Sequence, residues 1–185
     1  MSNQKSEKPL ELNSGNNFVK CITISTDASF HPEEKASGFA FQIVCDKFKI
    51  KHAGNFKTKP NSSIDAELMC IGNALRTLQK VKNLPKSKWL IVNSDCLYGI
   101  RRILKPHGRK TLCGKVRRIW IQTIGMLECT KYELRHVKSH NLHNDDSARS
   151  HVNDWCDLEA KKFMRKELNE IRKQKKKIQN ENLKS

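Results

Sequence analysis

No run of apolar residues in this 185-residue sequence approaches the length that crosses a bilayer, which excludes a helical membrane span. The polar N-terminus has no signal-peptide h-region. There is no C-x-x-C pair and no internal repeat; the seven cysteines, Cys21, Cys45, Cys70, Cys96, Cys113, Cys129 and Cys156, are scattered singly. An odd, dispersed set argues against a disulfide framework and for buried thiols in a reducing compartment, cytoplasmic or nuclear. Negative charge is also scarce. Nineteen Asp and Glu stand against 36 Lys and Arg, leaving a formal +17 and a pI near 9.7. An excess of that size points to a polyanionic partner, most often nucleic acid.

The length suits one domain with a sizeable core. Residues 1–17 are polar and read as a disordered lead-in. Val19 to Ser29 then alternates Ile22 and Ile24 with Thr23 and Ser25, the pattern of a strand, and reaches Asp27 where the strand should open into a loop. Residues 36–45 and 48–56 continue as strands of an antiparallel meander. Ile64, Leu68, Ile71, Leu75 and Leu78 recur at helical spacing, predicting a helix over 64–81 with Ser63 as its N-cap. A buried strand over 89–95 ends in Asp95. Helices over 96–104 and 111–127, a strand over 132–137, a polar loop over 138–150 and a helix from about Val152 to Lys177 complete the chain. The order β-β-β-α-β-α-α-β-α predicts an α/β domain with a five-stranded mixed sheet flanked by helices. Strands 1–3 are antiparallel, and strands 4 and 5 are parallel additions reached through helical crossovers.

On that scaffold four carboxylates converge: Asp27 after the first strand, Glu67 in the first turn of the first helix, Asp95 after the fourth strand and Asp157 in the last helix. Strand 4 parallel to strand 1 puts Asp27 and Asp95 at one sheet edge. Four gathered anions repel unless cations neutralise them, and hard oxygen ligands suit Mg²⁺ or Mn²⁺ rather than zinc. Two such ions about 4 Å apart serve phosphodiester hydrolysis.

Thr26-Asp27-Ala28-Ser29, Ala66-Glu67-Leu68-Met69, Asn93-Ser94-Asp95 and Asn153-Asp154-Trp155-Cys156-Asp157-Leu158-Glu159-Ala160 resemble, in order, the four motifs of type 1 ribonuclease H. His136-Val137-Lys138-Ser139-His140 is similar to that family's fifth-strand ending, where a Lys-x-His carries a mobile histidine. The resemblance covers roughly Val19 to Phe163. It implies a ribonuclease H-like fold, a metal-binding quartet of Asp27, Glu67, Asp95 and Asp157 with Asp27 bridging two ions, and His140 assisting proton transfer or product release. Asp154 competes for the last place, but the Cys-Asp-x-x-Ala context favours Asp157. The implied substrate is the RNA strand of an RNA–DNA hybrid, cut to 5′-phosphate and 3′-hydroxyl ends, with Ser29, Ser62 and Ser63 among the contacting residues. Two departures stand out: Ser63-Ile64 replaces an Asn-Asn pair, and Cys96-Leu97 replaces a Ser-Gln pair. Both remove groove-contacting polar groups and leave the quartet intact.

Residues 101–118 hold Arg101, Arg102, Lys105, Arg109, Lys110, Lys115, Arg117 and Arg118 with no acid among them, and read as a basic helix pair for phosphate contact. Residues 161–185 carry ten Lys and Arg against three Glu, +7 of the +17, so most of the excess belongs to the domain. This tail suits nonspecific phosphate binding or nuclear import, and its helix is expected to fray near Lys175–Lys177. His140, His143, His151 and Cys156 match no common zinc spacing. Trp89, Trp120 and Trp155 read as packing residues. The expectation is therefore a monomeric, metal-dependent endoribonuclease: a lead-in over 1–17, a ribonuclease H-like domain over 18–163 and a basic extension over 164–185. The alternatives are another nuclease on the same fold, such as a junction resolvase or a structured-RNA nuclease, or a non-catalytic hybrid- or RNA-binding module.

Overall fold

The computed structural model describes residues 18–137 and 148–182. The lead-in over 1–17, His140, His143 and residues 138–147 of the expected loop lie outside them. The elements run β1 (Phe18–His31), β2 (Ala36–Val44), β3 (Lys49–Gly54), α1 (Ser63–Gln79), β4 (Lys86–Ser94), α2 (Leu97–Leu104), α3 (Leu112–Leu127), β5 (Lys131–His136) and α4 (Ala148–Asn182). They form a five-stranded sheet in the order β3-β2-β1-β4-β5. β1–β2 and β2–β3 pair antiparallel, whereas β4 joins β1 and β5 joins β4 in parallel. The mixed sheet flanked by helices is the expected architecture.

Side-chain alternation divides the sheet between two layers. Ile22, Ile24, Phe39, Phe41, Leu90 and Val92 enter the main core with Leu68, Ile71 and Leu75 of α1 and Val116 and Trp120 of α3. The intervening residue Ala40 packs instead with Cys156 and Ala160 of α4 in a second cluster of small side chains. Small residues let α4 lie close on β2. At Gly38 the approach is close: a Cβ there would stand 2.2 Å from the Ala160 carbonyl oxygen, so no larger residue fits without moving the helix. α4 is tied further by Glu167, which accepts from the Ser37 amide at 2.6 Å and pairs with Lys59. Lys175 pairs with Glu34 in the β1–β2 turn.

Several boundaries differ from the sequence reading. β1 does not end near Asp27; it continues to His31 because β2 still pairs with it there, Asp27 opposite Ala40. The N-cap of α1 is Ser62, whose extended backbone (φ −154°, ψ 167°) lets its hydroxyl accept from the Asp65 amide, while Ser63 begins the helix. β4 opens at Lys86, three residues before the expected strand over 89–95, and closes at Ser94. α4 starts four residues earlier than expected, at Ala148, and continues past Lys175–Lys177 to Asn182. The thiols are less uniformly buried than expected: Cys70, Cys113 and Cys156 are buried, and the other four are half-buried.

Candidate active site

The parallel β1–β4 ladder ends at Ser25 opposite Asn93. Asp27 and Asp95 each lie two residues further on, so the register that pairs Ile22 with Leu90 also brings these two carboxylates opposite each other. Thr26 Oγ1 donates to the Asn93 carbonyl at 3.2 Å and Asn93 Nδ2 donates to Ser25 Oγ at 3.3 Å, locking the strands just below the acids. Glu67 arrives from the first turns of α1, and its Oε1 accepts from the Ala28 amide at 2.9 Å. One carboxylate oxygen from each of Asp27, Glu67 and Asp95 lies within 4.8 Å of the others. Among the described residues, this possible metal-ligand group contains no cysteine or histidine.

Asp157 approaches from α4. It stands outside that group of three, with Oδ2 held 2.8 Å from Lys161 Nζ one helical turn on. Its charge still reaches the cluster. Burial first, then the charges of Asp95 and Asp157, push the Asp27 carboxyl up to about 8, with Lys161 opposing. Burial, then Asp27 and Asp95, hold Glu67 well above the usual carboxylate range. At the end of β5, His136 Nε2 lies 2.9 Å from the Asp95 carbonyl oxygen.

No family model matches the sequence, and no curated protein matches it either. Solved structures do resemble it. LC11-RNase H1, solved in complex with an RNA/DNA hybrid, superposes with a TM-score of 0.57 at 15% identity, over 80% of this chain and 99% of that one. The N-terminal RNase H domain of a Mycobacterium tuberculosis protein, solved as a fusion with maltose-binding protein, gives 0.52 at 12% identity over 82% and 98%. RNase H1 from Halobacterium salinarum gives 0.50 at 11% identity over 79% and 98%. The fold is that of ribonuclease H.

On this ribonuclease H fold the three carboxylates fit a hard divalent cation. Their donors are all oxygen, two of the three side chains are buried, and the second Glu67 oxygen, Oε2, is buried without a hydrogen-bond partner. Without a cation, burial and mutual repulsion favour protonation, as the raised pKa values record. The chemistry such a site permits is hydrolysis at an anionic centre.

The other sequence candidates are placed as follows. Ser29 is half-buried on β1 two residues beyond Asp27, Ser62 is committed to its capping bond, and Ser63 is exposed. Ile64, one of the departures noted above, packs half-buried against the main core. Leu97 is 39% exposed at the start of α2. Arg101, Arg102, Lys105, Arg109, Lys110 and Lys115 are all exposed along α2, the connection and α3. The Arg102 guanidinium lies 5.3 Å over the exposed Tyr98 ring. Arg117, half-buried, and Arg118, exposed, are each tied to backbone carbonyls. Arg117 donates to the Ile103 and Leu104 carbonyls at the end of α2, and Arg118 donates to the Arg109 carbonyl. Of the tryptophans, Trp120 is buried, while Trp89 and Trp155 are half-buried beneath the ammonium groups of Lys131 and Lys51.

The roles of two residues in the site escaped the sequence reading. Lys161 had a signal, the i,i+4 spacing from Asp157 that makes helical ion pairs. His136 stood within the fifth-strand motif without a role, because its bond joins β5 to the β4–α2 turn 41 residues away.

Proposed function

We propose that the chain is a divalent-metal-dependent endoribonuclease that hydrolyses the RNA strand of RNA–DNA hybrids, leaving 5′-phosphate and 3′-hydroxyl ends. The observation that carries this reading is the convergence of Asp27, Glu67 and Asp95 within 4.8 Å at the end of the β1–β4 ladder, with Asp157 on the adjoining helix. The ribonuclease H fold, and a structural neighbour that binds an RNA/DNA hybrid, support the choice of substrate.

In this reading Asp27, Glu67, Asp95 and Asp157 would hold the divalent cations, Mg²⁺ or Mn²⁺, at the end of the β1–β4 ladder. When bound, the ions supply a water of lowered pKa and neutralise charge on the departing oxygen. The chain's own contributions are positional and protonic. The Ala28 amide fixes Glu67, and the locked strand ends fix Asp27 and Asp95. His140 carries protons during the reaction or at product release. Arg101, Arg102, Lys105, Arg109, Lys110 and Lys115 bind backbone phosphates, and Ser29, Ser62 and Ser63 line the substrate path. The enzyme works as a monomer, in the cytoplasm or nucleus, with residues 18–163 as the catalytic domain and 164–185 as a basic extension.

The test is a cleavage assay with Mg²⁺ or Mn²⁺ on matched, end-labelled RNA–DNA hybrid, duplex RNA, single-stranded RNA, duplex DNA and a four-way junction, with Asp27→Asn as control. Cutting confined to the RNA of the hybrid, and lost in Asp27→Asn, is the expected result. Cutting of the junction or of duplex RNA instead would replace the substrate while keeping the metal site. Hybrid binding without metal-dependent cutting would leave a binding module.

A further inference from the structure

We propose that the C-terminal half of α4 is a second nucleic-acid interface, a stripe of cations that grips the phosphate backbone of a duplex well away from the carboxylates. Choosing nucleic acid among polyanions rests on the proposed nuclease reading; the stripe itself does not.

At about 100° per residue, Arg165, Lys166, Arg172, Lys173, Lys176 and Lys177 share an arc of roughly 140° on α4. All six are exposed. The acids of this half, Glu167, Glu170 and Glu181, fall outside the arc, Glu170 and Glu181 near its margin, with Glu181 3.9 Å from Lys177. Arg165, Lys166, Lys173 and Lys176 make no ion pair among the described residues. A solvated helix of ordinary composition interleaves its signs for i,i+4 pairing. Here Glu170 and Glu181 take such places beside Lys166, Lys173 and Lys177, while Arg165, Arg172 and Lys176 have no acid three or four residues away on the helix.

Two tertiary contacts fix which way the stripe faces. Glu167, bound to the Ser37 amide and Lys59, and Lys175, bound to Glu34, both lie on the opposite side of the helix. These anchors turn the cations outward. The side of α4 that packs on the sheet carries buried Ala160 and Leu168, and beyond them Ile178, 56% exposed, is a single large apolar side chain and not a face. A helix that lies on a membrane needs an apolar face free to insert, which argues for a polyanion without an apolar phase.

The dimensions suit a duplex. From Arg165 to Lys177 the stripe runs about 18 Å, and a duplex presents about one phosphate charge per 1.7 Å of axis, so about ten phosphates pass alongside six cations. Lys173 is about 24 Å along the helix from Asp157, far enough to engage duplex beyond that held at the carboxylates.

The experiment compares the full chain with a variant carrying Arg172→Gln, Lys173→Gln, Lys176→Gln and Lys177→Gln, changes that preserve helix propensity. Binding to 10- and 24-base-pair RNA–DNA hybrids is followed by fluorescence anisotropy in EDTA across a NaCl series. The expected result is a log–log salt slope on the long hybrid that is shallower by about 3, with affinity lowered at least tenfold. The short hybrid should change little, and kcat at saturating hybrid with Mg²⁺ should stay within twofold. Lys175→Gln, on the opposite face, should leave the slope unchanged. An unchanged slope and affinity in the fourfold variant would overturn the stripe even if the protein cuts hybrids. So would wild-type capture by phosphatidylserine vesicles that is lost in the variant while hybrid binding persists. A reduced slope in a protein that cuts no hybrid would keep the stripe and overturn the nuclease reading.

Discussion

His136 holds the main chain of Asp95. Its Nε2 lies 2.9 Å from the Asp95 carbonyl oxygen, and because a carbonyl only accepts, the ring must carry its proton on Nε2. The bond ties the end of β5 to the turn that presents one of the three clustered carboxylates. His136→Ala removes one hydrogen bond, worth about 1 kcal/mol, and should lower kcat about fivefold with KM nearly unchanged. His136→Gln, which retains an N–H donor, should recover most of it. Equal kcat in all three proteins would deny His136 this positioning role.

The charge of Asp27 works against folding when no cation is bound. Asp27→Asn should abolish cleavage, a loss of at least about a thousandfold, yet raise the melting temperature of the metal-free protein at pH 8. The variant should also lose most of the Mg²⁺-induced rise in Tm. Thermal unfolding with EDTA and with Mg²⁺ provides the comparison, and a variant less stable than wild type in EDTA would contradict the repulsion described above.

The pH dependence has a definite sign. Asp27 titrates at about 8 in the fold against 3.8 when unperturbed, and Glu67 is raised in the same direction. Groups raised by folding contribute stability that is complete below their unfolded pKa and is lost as pH rises through the folded one. Metal-free protein should therefore lose stability between pH 5 and about 8, and saturating Mg²⁺ should reverse most of the loss. Urea denaturation across that range measures it. A metal-free curve that rises towards pH 8 would show that the carboxylates are not gathered in this way.

At Gly38 the backbone of β2 lies close against α4. Gly38→Ala forces a Cβ against the Ala160 carbonyl and should cost about 2–3 kcal/mol, with Gly38→Val costing more. Because α4 also carries Asp157, activity should fall further than the loss of stability explains. A neutral Gly38→Ala would mean that the helix has room to withdraw. Chemical denaturation with hybrid cleavage at matched folded fraction separates the two effects.

Periodicity made most of the elements legible. Ile22 and Ile24 declared a strand, and the Ile64–Leu78 series declared a helix, because local burial patterns follow the geometry of the element. Boundaries were less legible. Ser62 and Ser63 are equally able to cap, and only the extended backbone at Ser62 decides between them. β1 outlasts Asp27 because a second strand pairs with it there, which no local signal reports.

The sequence by itself determined the carboxylates, the strand that carries Asp27 and the strand that leads to Asp95, and the excess of positive charge, since all of these are properties of residue type and short-range order. Only the tertiary structure decided that Asp27, Glu67 and Asp95 gather closely while Asp157 stands outside their group, that His136 secures Asp95, and that Arg117 closes a helix end instead of facing solvent like Lys115. It also decided which side of α4 faces outward, through Glu167 and Lys175. These depend on strand register, helix rotation and contacts between residues far apart in the chain, where one position more or less redirects a side chain to another face.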